Sequence, residues 1–405
     1  MKRLHVTIPL DAPDNLVSLL TDDCQNYEIV KLKGALTNVI YKLSIRDSSG
    51  TSTSYLVRIF GAKLESLVDR VEEFNNITRV PPVVGYVNVL YVFDNGRVEY
   101  FLEGFKSVSA KQMVQQNVYR VLAQKFKALH CLVSITDKEI AHHRDGMCWY
   151  KLGQWIEIIE NINGGEWIDS RDHQNVTEIL LCRDWATFKK TVLNYKNWLL
   201  EEDAESFQQM KFCHNDAQQG NILLDSKTKD DDIPNLNLID YEYSGVNAIQ
   251  FDLANFLTEC MHDYEIDESY KCHGEQYPSK EKVLDFLYHY STHLHHGDSK
   301  GEASIVKLYN SVLKWRAASQ LFWSVWAILQ SGQLEAASAK IEAHVPDKGS
   351  NRVTSSDDPN EEVFDYMGFC NEKLSYFWGD MIKFNLASKE DCIVSKVRYL
   401  DTEFI

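Results

Sequence analysis

No stretch of this chain is apolar for long enough to cross a bilayer. The longest mostly apolar run, Ala317 to Leu329, falls short of the roughly 20 residues a membrane helix needs, and Ser319, Gln320 and Ser324 interrupt it. The N-terminal segment MKRLHVTIPLDAPDN has two basic residues, but His5, Thr7 and Pro9 break its apolar run, so it does not read as a secretory signal. Basic patches are missing too. Lysine and arginine number 42 against 59 aspartates and glutamates, a net charge of −17, which repels phosphate backbones and anionic lipid. Binding to nucleic acid or to a membrane surface is therefore not expected. The nine cysteines (24, 131, 148, 182, 213, 260, 272, 370 and 392) include no C-x-x-C pair. An odd, scattered set reads as free thiols in a reducing compartment, and the expected location is the cytoplasm.

What is present is an ordinary globular balance, 44% apolar and 25% charged over 405 residues. That length predicts two domains, or one enzyme fold built of two lobes. VIYKLSI (39–45) and SYLVRIF (54–60) are β-rich runs around a polar RDSSGTST turn, which predicts an antiparallel hairpin. Leu64, Leu67, Val68, Val71 and Phe74 recur at helical spacing, predicting a helix that stops before Pro81-Pro82. VLYVF (89–93), Asp94-Asn95-Gly96 and VEYFL (98–102) predict a second hairpin. After Gly104 helical periods dominate (113–132, 188–200, 282–289 and 305–330), with one β-like island at 211–243. The expected fold class is α+β: a small β-rich lobe over 1–104 and a large, mainly helical lobe over 105–405. The polar segment HVPDKGSNRVTSSDDPNE (344–361) reads as a surface insertion.

The β-like island carries the chemistry. KFCHNDAQQGNILLDS (211–226) holds Asp216 and Asn221 in the spacing H-x-D-x-x-x-x-N, and LNLIDYEYSG (236–245) ends an apolar run on Asp240. Phosphoryl transfer from a nucleotide needs a carboxylate to orient the attacking hydroxyl and take its proton. It also needs oxygen ligands to hold Mg²⁺ against the phosphates. This trio can supply both. A competing triplet, His143-Arg144-Asp145, spells the catalytic loop of protein kinases, but Tyr150 stands where that loop needs Asn. The chain also has no G-x-G-x-x-G and no V-A-I-K strand: Arg58 occupies the lysine's place in YLVRIFG.

CHNDAQQGNILL followed by LIDYEYSGVNAIQFDLANFLTE resembles the paired signature of the choline/ethanolamine kinase family, ATP-dependent enzymes of eukaryotic-protein-kinase-like fold. KGALTNVIYKL, YLVRIFG, NGRVEYFL and ASQLFWSVWAILQ match in the family's order, over about residues 30 to 380. The resemblance implies that Asp216 is the catalytic base and that Asn221 and Asp240 are Mg²⁺ ligands. It further implies ATP contacts from Arg58, Gly34, Asn38 and Asp240, with Gln218 and Glu242 in support. The implied reaction is ATP-dependent phosphorylation of the hydroxyl of choline, ethanolamine or both, the first step of CDP-choline phospholipid synthesis, by a homodimer. The sequence departs from the family at Gly34-Ala35, where Gly-Gly is common, and at LEGFKS after the second hairpin. Two glutamates, Glu72 and Glu73, are open as helix partners of Arg58. Glu72 flanks the apolar stripe and Glu73 faces away from it.

A quaternary ammonium donates no hydrogen bonds, so aromatic faces and carboxylates must recognise it. By the resemblance, Glu259, Tyr264, Trp323, Trp326 and Tyr366 form the choline pocket. Aromatic residues at helical spacing are otherwise core residues. The kinase motifs favour the pocket for Trp323 and Tyr264 and leave both readings open for Trp326 and Tyr366. His289, His293, His295 and His296 read as a solvated helix end, since no acidic motif completes a metal site. Two rivals remain, an antibiotic or sugar phosphotransferase of the same fold and a catalytically dead binding relative. The second is disfavoured because Asp216, Asn221 and Asp240 are all intact.

Overall fold

Both hairpins form where the alternating polarity places them. In a computed structural model, strands β1 (Lys2–Arg3), β2 (Tyr27–Leu32), β3 (Asn38–Arg46), β4 (Ser52–Phe60), β5 (Val89–Phe93) and β6 (Gly96–Tyr100) build one sheet in the order β1-β5-β6-β4-β3-β2. All its pairings are antiparallel except β1 with β5. The structure describes the chain except residues 1, 21–25, 33–37, 48, 61–68, 86, 163–173, 230–231, 295–301 and 333–363, together with the side chains of 19, 38, 174 and 175. Gly34 and the insertion at 344–361 therefore lie outside the described residues.

Period-two alternation sorts this sheet into two faces. Tyr41, Leu43 and Ile45 of β3, Val57 and Ile59 of β4, and Val98 of β6 point into a core shared with Ile8, Leu16, Val17 and Phe93. The intervening residues Arg58, Arg97 and Glu99 face the other way, and Arg58 stands directly across from Arg97 in the β4–β6 register. Gly96 is required where these strands meet, because a Cβ there would collide with the Arg58 carbonyl and the Phe93 ring.

The chain divides into two compact units, Met1–Val108 with Gly220–Ser244, and Ser109–Gln219 with Gly245–Ile405. The division expected at Gly104 assigned 220–244 to the helical lobe. Backbone pairing assigns it to the first unit instead: Ile222–Asp225 pairs with Phe105–Ser107 on one side and with Leu236–Leu238 on the other. LEGFKS thus supplies an edge strand, entered through Gly104 at φ 83°.

Of the stripe expected to build a helix here, Leu64, Leu67 and Val68 lie outside the described residues, and a helix runs from Arg70 to Arg79. Asp69 caps the first turn by accepting the amides of Val71 and Glu72. Val71 is 72% exposed, while Glu73, Asn76 and Ile77 are buried. The inward face over these turns is set by the ion-paired Glu73, by Asn76, whose Nδ2 donates to the Ser244 carbonyl, and by Ile77.

The second unit is mainly helical, as expected, and contains one two-stranded ribbon, Lys211–Cys213 against Gly245–Asn247. The 30-residue helix Glu302–Ser331 packs against both Ile249–Glu259 and Tyr366–Lys383, and Lys280–Thr292 packs against Gln116–Leu132. Arg316 locks the long helix to Tyr366–Lys383 through a buried, bidentate pair with Asp380, and its Nη1 also donates to Thr402 at 2.7 Å. Stranding one charge of such a pair costs more than removing both. Arg316→Met is accordingly expected to destabilise the protein by about 3 kcal/mol or more, and the double substitution with Asp380→Leu by clearly less. Urea unfolding of the two variants measures this.

Candidate active site

In the first unit, the hairpin of Ile222–Asp225 and Leu236–Leu238 aligns its ends so that Ile222 pairs with Leu238. Asn221 immediately precedes one strand and Asp240 follows the other by two residues, and the Ile239 amide donates to the Asn221 carbonyl at 3.0 Å. The two candidate metal ligands therefore stand side by side at one end of the hairpin. Asn221 is buried and Asp240 partly so. Asp240 holds a left-handed backbone, φ 65°, a conformation that persists in a non-glycine residue only where its surroundings fix it.

Those surroundings are ionic. Two arginines directly opposite each other on adjacent strands repel unless anions separate them. Arg58 Nη1 donates to Asp240 Oδ2 at 2.8 Å. Arg97 pairs with Glu73 and Glu99. Arg70 reaches Glu73 at 2.8 Å and Glu242 at 3.0 Å, and its guanidinium lies 4.0 Å from the Phe60 ring centroid. Three arginines thus face four carboxylates, Glu73, Glu99, Asp240 and Glu242. Arg58's own partner is Asp240. Of the two helix glutamates, Glu73 is buried in this network, correcting the orientation expected from the apolar stripe.

Carboxylate oxygens of Glu73, Asp240 and Glu242 lie within 4.8 Å of one another. An all-oxygen set with surplus negative charge suits a hard divalent cation, and the neighbouring Asn221 fits as a neutral oxygen ligand. The other metal-capable group among the described residues, His130, Cys213 and Asp252, does not fit. Asp252 already accepts three N–H groups, and burial holds the Cys213 thiol protonated by raising its pKa. Among the described residues no metal cluster includes His289 or His293; His289 only approaches Asp285, at 3.8 Å.

In the second unit, the loop that follows Lys211–Cys213 is anchored by a single buried carboxylate. Asp252, in the first turn of Ile249–Glu259, accepts the His214 amide on Oδ2 and the Asn215 amide on Oδ1, both at 2.8 Å. His130 Nε2 lies 2.9 Å from the same Oδ2, and its Nδ1 lies 2.9 Å from the Tyr290 hydroxyl. Asn247 Nδ2 donates to Asn215 Oδ1, and Gln219 Nε2 donates to the His262 carbonyl. Asn215 takes φ 66° between these anchors. Asp216 follows it half-buried, its own amide 3.3 Å from His214 Nδ1 and its carbonyl accepting the Gln218 amide. In the competing His143-Arg144-Asp145 triplet, Asp145 accepts Lys196 Nζ at 2.6 Å as a surface ion pair.

The same unit assembles an arc of rings. Trp323 and Trp326 meet edge-on at 5.5 Å, Trp326 meets Tyr366 at 5.7 Å, and Phe364 links Tyr366 to Phe369. Phe369 touches His262, which stacks parallel on Tyr264 at 5.4 Å. The Tyr264 hydroxyl donates to Glu259 Oε2 at 2.7 Å, and Lys373 Nζ to Oε1 at 2.8 Å. All five predicted pocket residues therefore belong to one connected group. Trp323 Nε1 is held by Asn255 Oδ1 at 2.7 Å. The Tyr264 phenol is raised well above its ordinary pKa, chiefly by burial, then by Glu259, with a smaller contribution from Asp216.

The family profile described as choline/ethanolamine kinase matches residues 29–378. The chain belongs to the choline/ethanolamine kinase family. It is similar to the ethanolamine kinase of Saccharomyces cerevisiae, at 36% identity over 93% of this chain and 74% of that protein. It is also similar to the choline kinase of the same yeast, at 32% identity over 94% of this chain and 75% of that one. Among solved structures, a Plasmodium vivax ethanolamine kinase aligns at TM-score 0.66 and 20% identity, covering 88% of this chain and 84% of its own. Choline kinase from Cryptosporidium parvum aligns at 0.62 and 18%, covering 92% and 96%. The expected α+β, protein-kinase-like fold and the family resemblance both hold.

For this family member, sequence reading picked out Arg58, Asn221 and Asp240, and the structure groups them in the first unit. Gln218 lies in the anchored loop, and Asn38 opens β3 with its side chain undescribed. Sequence reading left Glu73 open beside Glu72 and missed Arg70 and Arg97, although Arg97 and Glu99, two apart in a strand, must share a face. It also missed Asp252, Phe369 and Lys373.

Burial, and next the carboxylates of Asp240 and Glu73, push Glu242 up to about 7 from 4.5. A carboxyl raised in the folded state favours folding below its unfolded value, and that contribution is lost as pH climbs from 4.5 through 7. Without divalent cations, Glu242→Gln should therefore gain on the wild type by on the order of 2 kcal/mol between about pH 5 and about pH 8. Urea unfolding at the two pH values tests this, and a pH-independent difference contradicts it.

Proposed function

We propose that this kinase transfers the γ-phosphoryl group of ATP to the hydroxyl of choline, ethanolamine or both, with Mg²⁺ as cofactor. The observation that carries the acceptor class is the ring arc closed by Glu259, an arrangement suited to an ammonium cation and poorly suited to a polyhydroxylated sugar. Asp216, on its anchored loop, orients the acceptor hydroxyl and takes its proton as the oxygen attacks the γ-phosphorus in line. Arg58 contributes positive charge toward the nucleotide phosphates, with Gln218 and Glu242 in support. Gly34 and Asn38 are assigned to phosphate contact by resemblance alone. When bound by Asn221 and Asp240, Mg²⁺ would offset charge on the phosphate oxygens.

Among the described residues no helix is long and apolar enough to cross a membrane. A cytoplasmic homodimer that feeds phospholipid synthesis is the setting the family resemblance suggests. ADP release measured with choline, ethanolamine and a panel of aminoglycosides tests the reading. Turnover is expected with one or both amine alcohols, at least about a hundredfold above any aminoglycoside, because buried recognition groups discriminate strongly against the wrong acceptor. Comparable aminoglycoside turnover would refute it.

A further inference from the structure

Lys373 is 0% exposed, the most deeply buried lysine among the described residues, and it meets groups of the acceptor arc. Its Nζ lies 2.8 Å from Glu259 Oε1 and 4.9 Å from the Phe369 ring centroid. Glu259 is 2% exposed, and its other oxygen accepts the Tyr264 hydroxyl. The charged groups nearest the pair are Glu372, itself paired with Arg398 at 2.6 Å, Asp216, which acts on Tyr264, and Lys282, which acts on Cys260. His262 is kept neutral by burial and next by Lys373, and burial raises the Cys272 thiol to about 12. The carboxylate expected to attract the acceptor's cation is therefore already balanced by a cation of the protein's own.

This balance acts differently on the two candidate acceptors. A primary ammonium donates charge-assisted hydrogen bonds and brings its nitrogen to about 2.8 Å from a carboxylate oxygen. A trimethylammonium has no N–H, its methyl groups keep the nitrogen farther from the oxygen, and it depends more on aromatic faces. An uncompensated Glu259 would favour the primary amine much more than the quaternary one. We propose that Lys373 is a specificity-determining positioning residue: by occupying and neutralising Glu259 it restrains the preference for a primary ammonium and leaves the ring arc to recognise a quaternary one. The proposal rests on the acceptor reading given above.

The test is kcat and KM for choline and for ethanolamine, in the wild type and in Lys373→Met, Lys373→Arg, Glu259→Gln and the Glu259→Gln/Lys373→Met double variant. In Lys373→Met the ethanolamine-to-choline ratio of kcat/KM should rise by about tenfold, chiefly through a lower ethanolamine KM. Lys373→Arg keeps the charge and should hold the ratio to within about threefold of wild type. Should Lys373→Met fail to fold, the pair without a stranded carboxylate decides. Glu259→Gln leaves an unpaired ammonium that raises KM for both acceptors by about tenfold, and the double variant recovers most of that loss. An unchanged ratio in folded Lys373→Met, or equal KM values in Glu259→Gln and the double variant, overturns the proposal. A wild-type enzyme that phosphorylates neither amine alcohol instead sinks the acceptor reading itself.

Discussion

The buried carboxylate of Asp252 sets the conformation on which the proposed chemistry depends. Its two oxygens take the amides of His214 and Asn215, the two residues that follow the ribbon strand Lys211–Cys213. With both amides tied to one side chain and Asn215 forced into the left-handed region, the chain turns sharply, and Asp216 emerges at a fixed point. His130 and Tyr290 brace Asp252 from behind, so the anchor extends to two further helices of the same unit. An acid in the first turn of Ile249–Glu259 also suits the partial positive charge at that helix end.

Both units manage buried charge by near-balance, with the remainder left for a ligand. In the first unit, three arginines against four carboxylates leave an excess of one negative charge beside Asn221, where a divalent cation can be held. In the second, Glu259 is matched by Lys373, so under the proposed function attraction for a cationic acceptor falls mainly to the rings. Buried ion pairs add little net stability, and their retention here is better understood through what they hold in place. Arg58 and Arg97 would repel across their strands without Asp240, Glu73 and Glu99, so the sheet and the candidate metal site depend on the same ions.

Much of this could be read from the residues. Alternation gave the two hairpins, and the pairing of H-x-D-x-x-x-x-N with a strand-terminal aspartate gave the chemistry. The acceptor class came from the family resemblance, which turned aromatic residues otherwise readable as core into an expected pocket. What escaped was whatever depends on partners distant in sequence. Glu73 looked outward because a helix stripe is judged by hydropathy, and no local pattern announces that Arg97 and Arg70 wait on its inner side. Nothing in the local sequence marks Lys373, whose partner Glu259 lies 114 residues earlier. The strands β1 and β2 were not foreseen, and 220–244 was assigned to the helical lobe because its pairing with Phe105–Ser107 cannot be seen in the sequence.

The central claim is that Asp216 handles the acceptor's proton on a loop whose shape is set without it. The most direct measurement is steady-state turnover of Asp216→Asn with its preferred amine alcohol, alongside nucleotide affinity from tryptophan fluorescence. The account predicts turnover lower by about a thousandfold or more, because a general base is lost, with nucleotide affinity within about threefold of wild type. Turnover near the wild-type rate in that variant would contradict it.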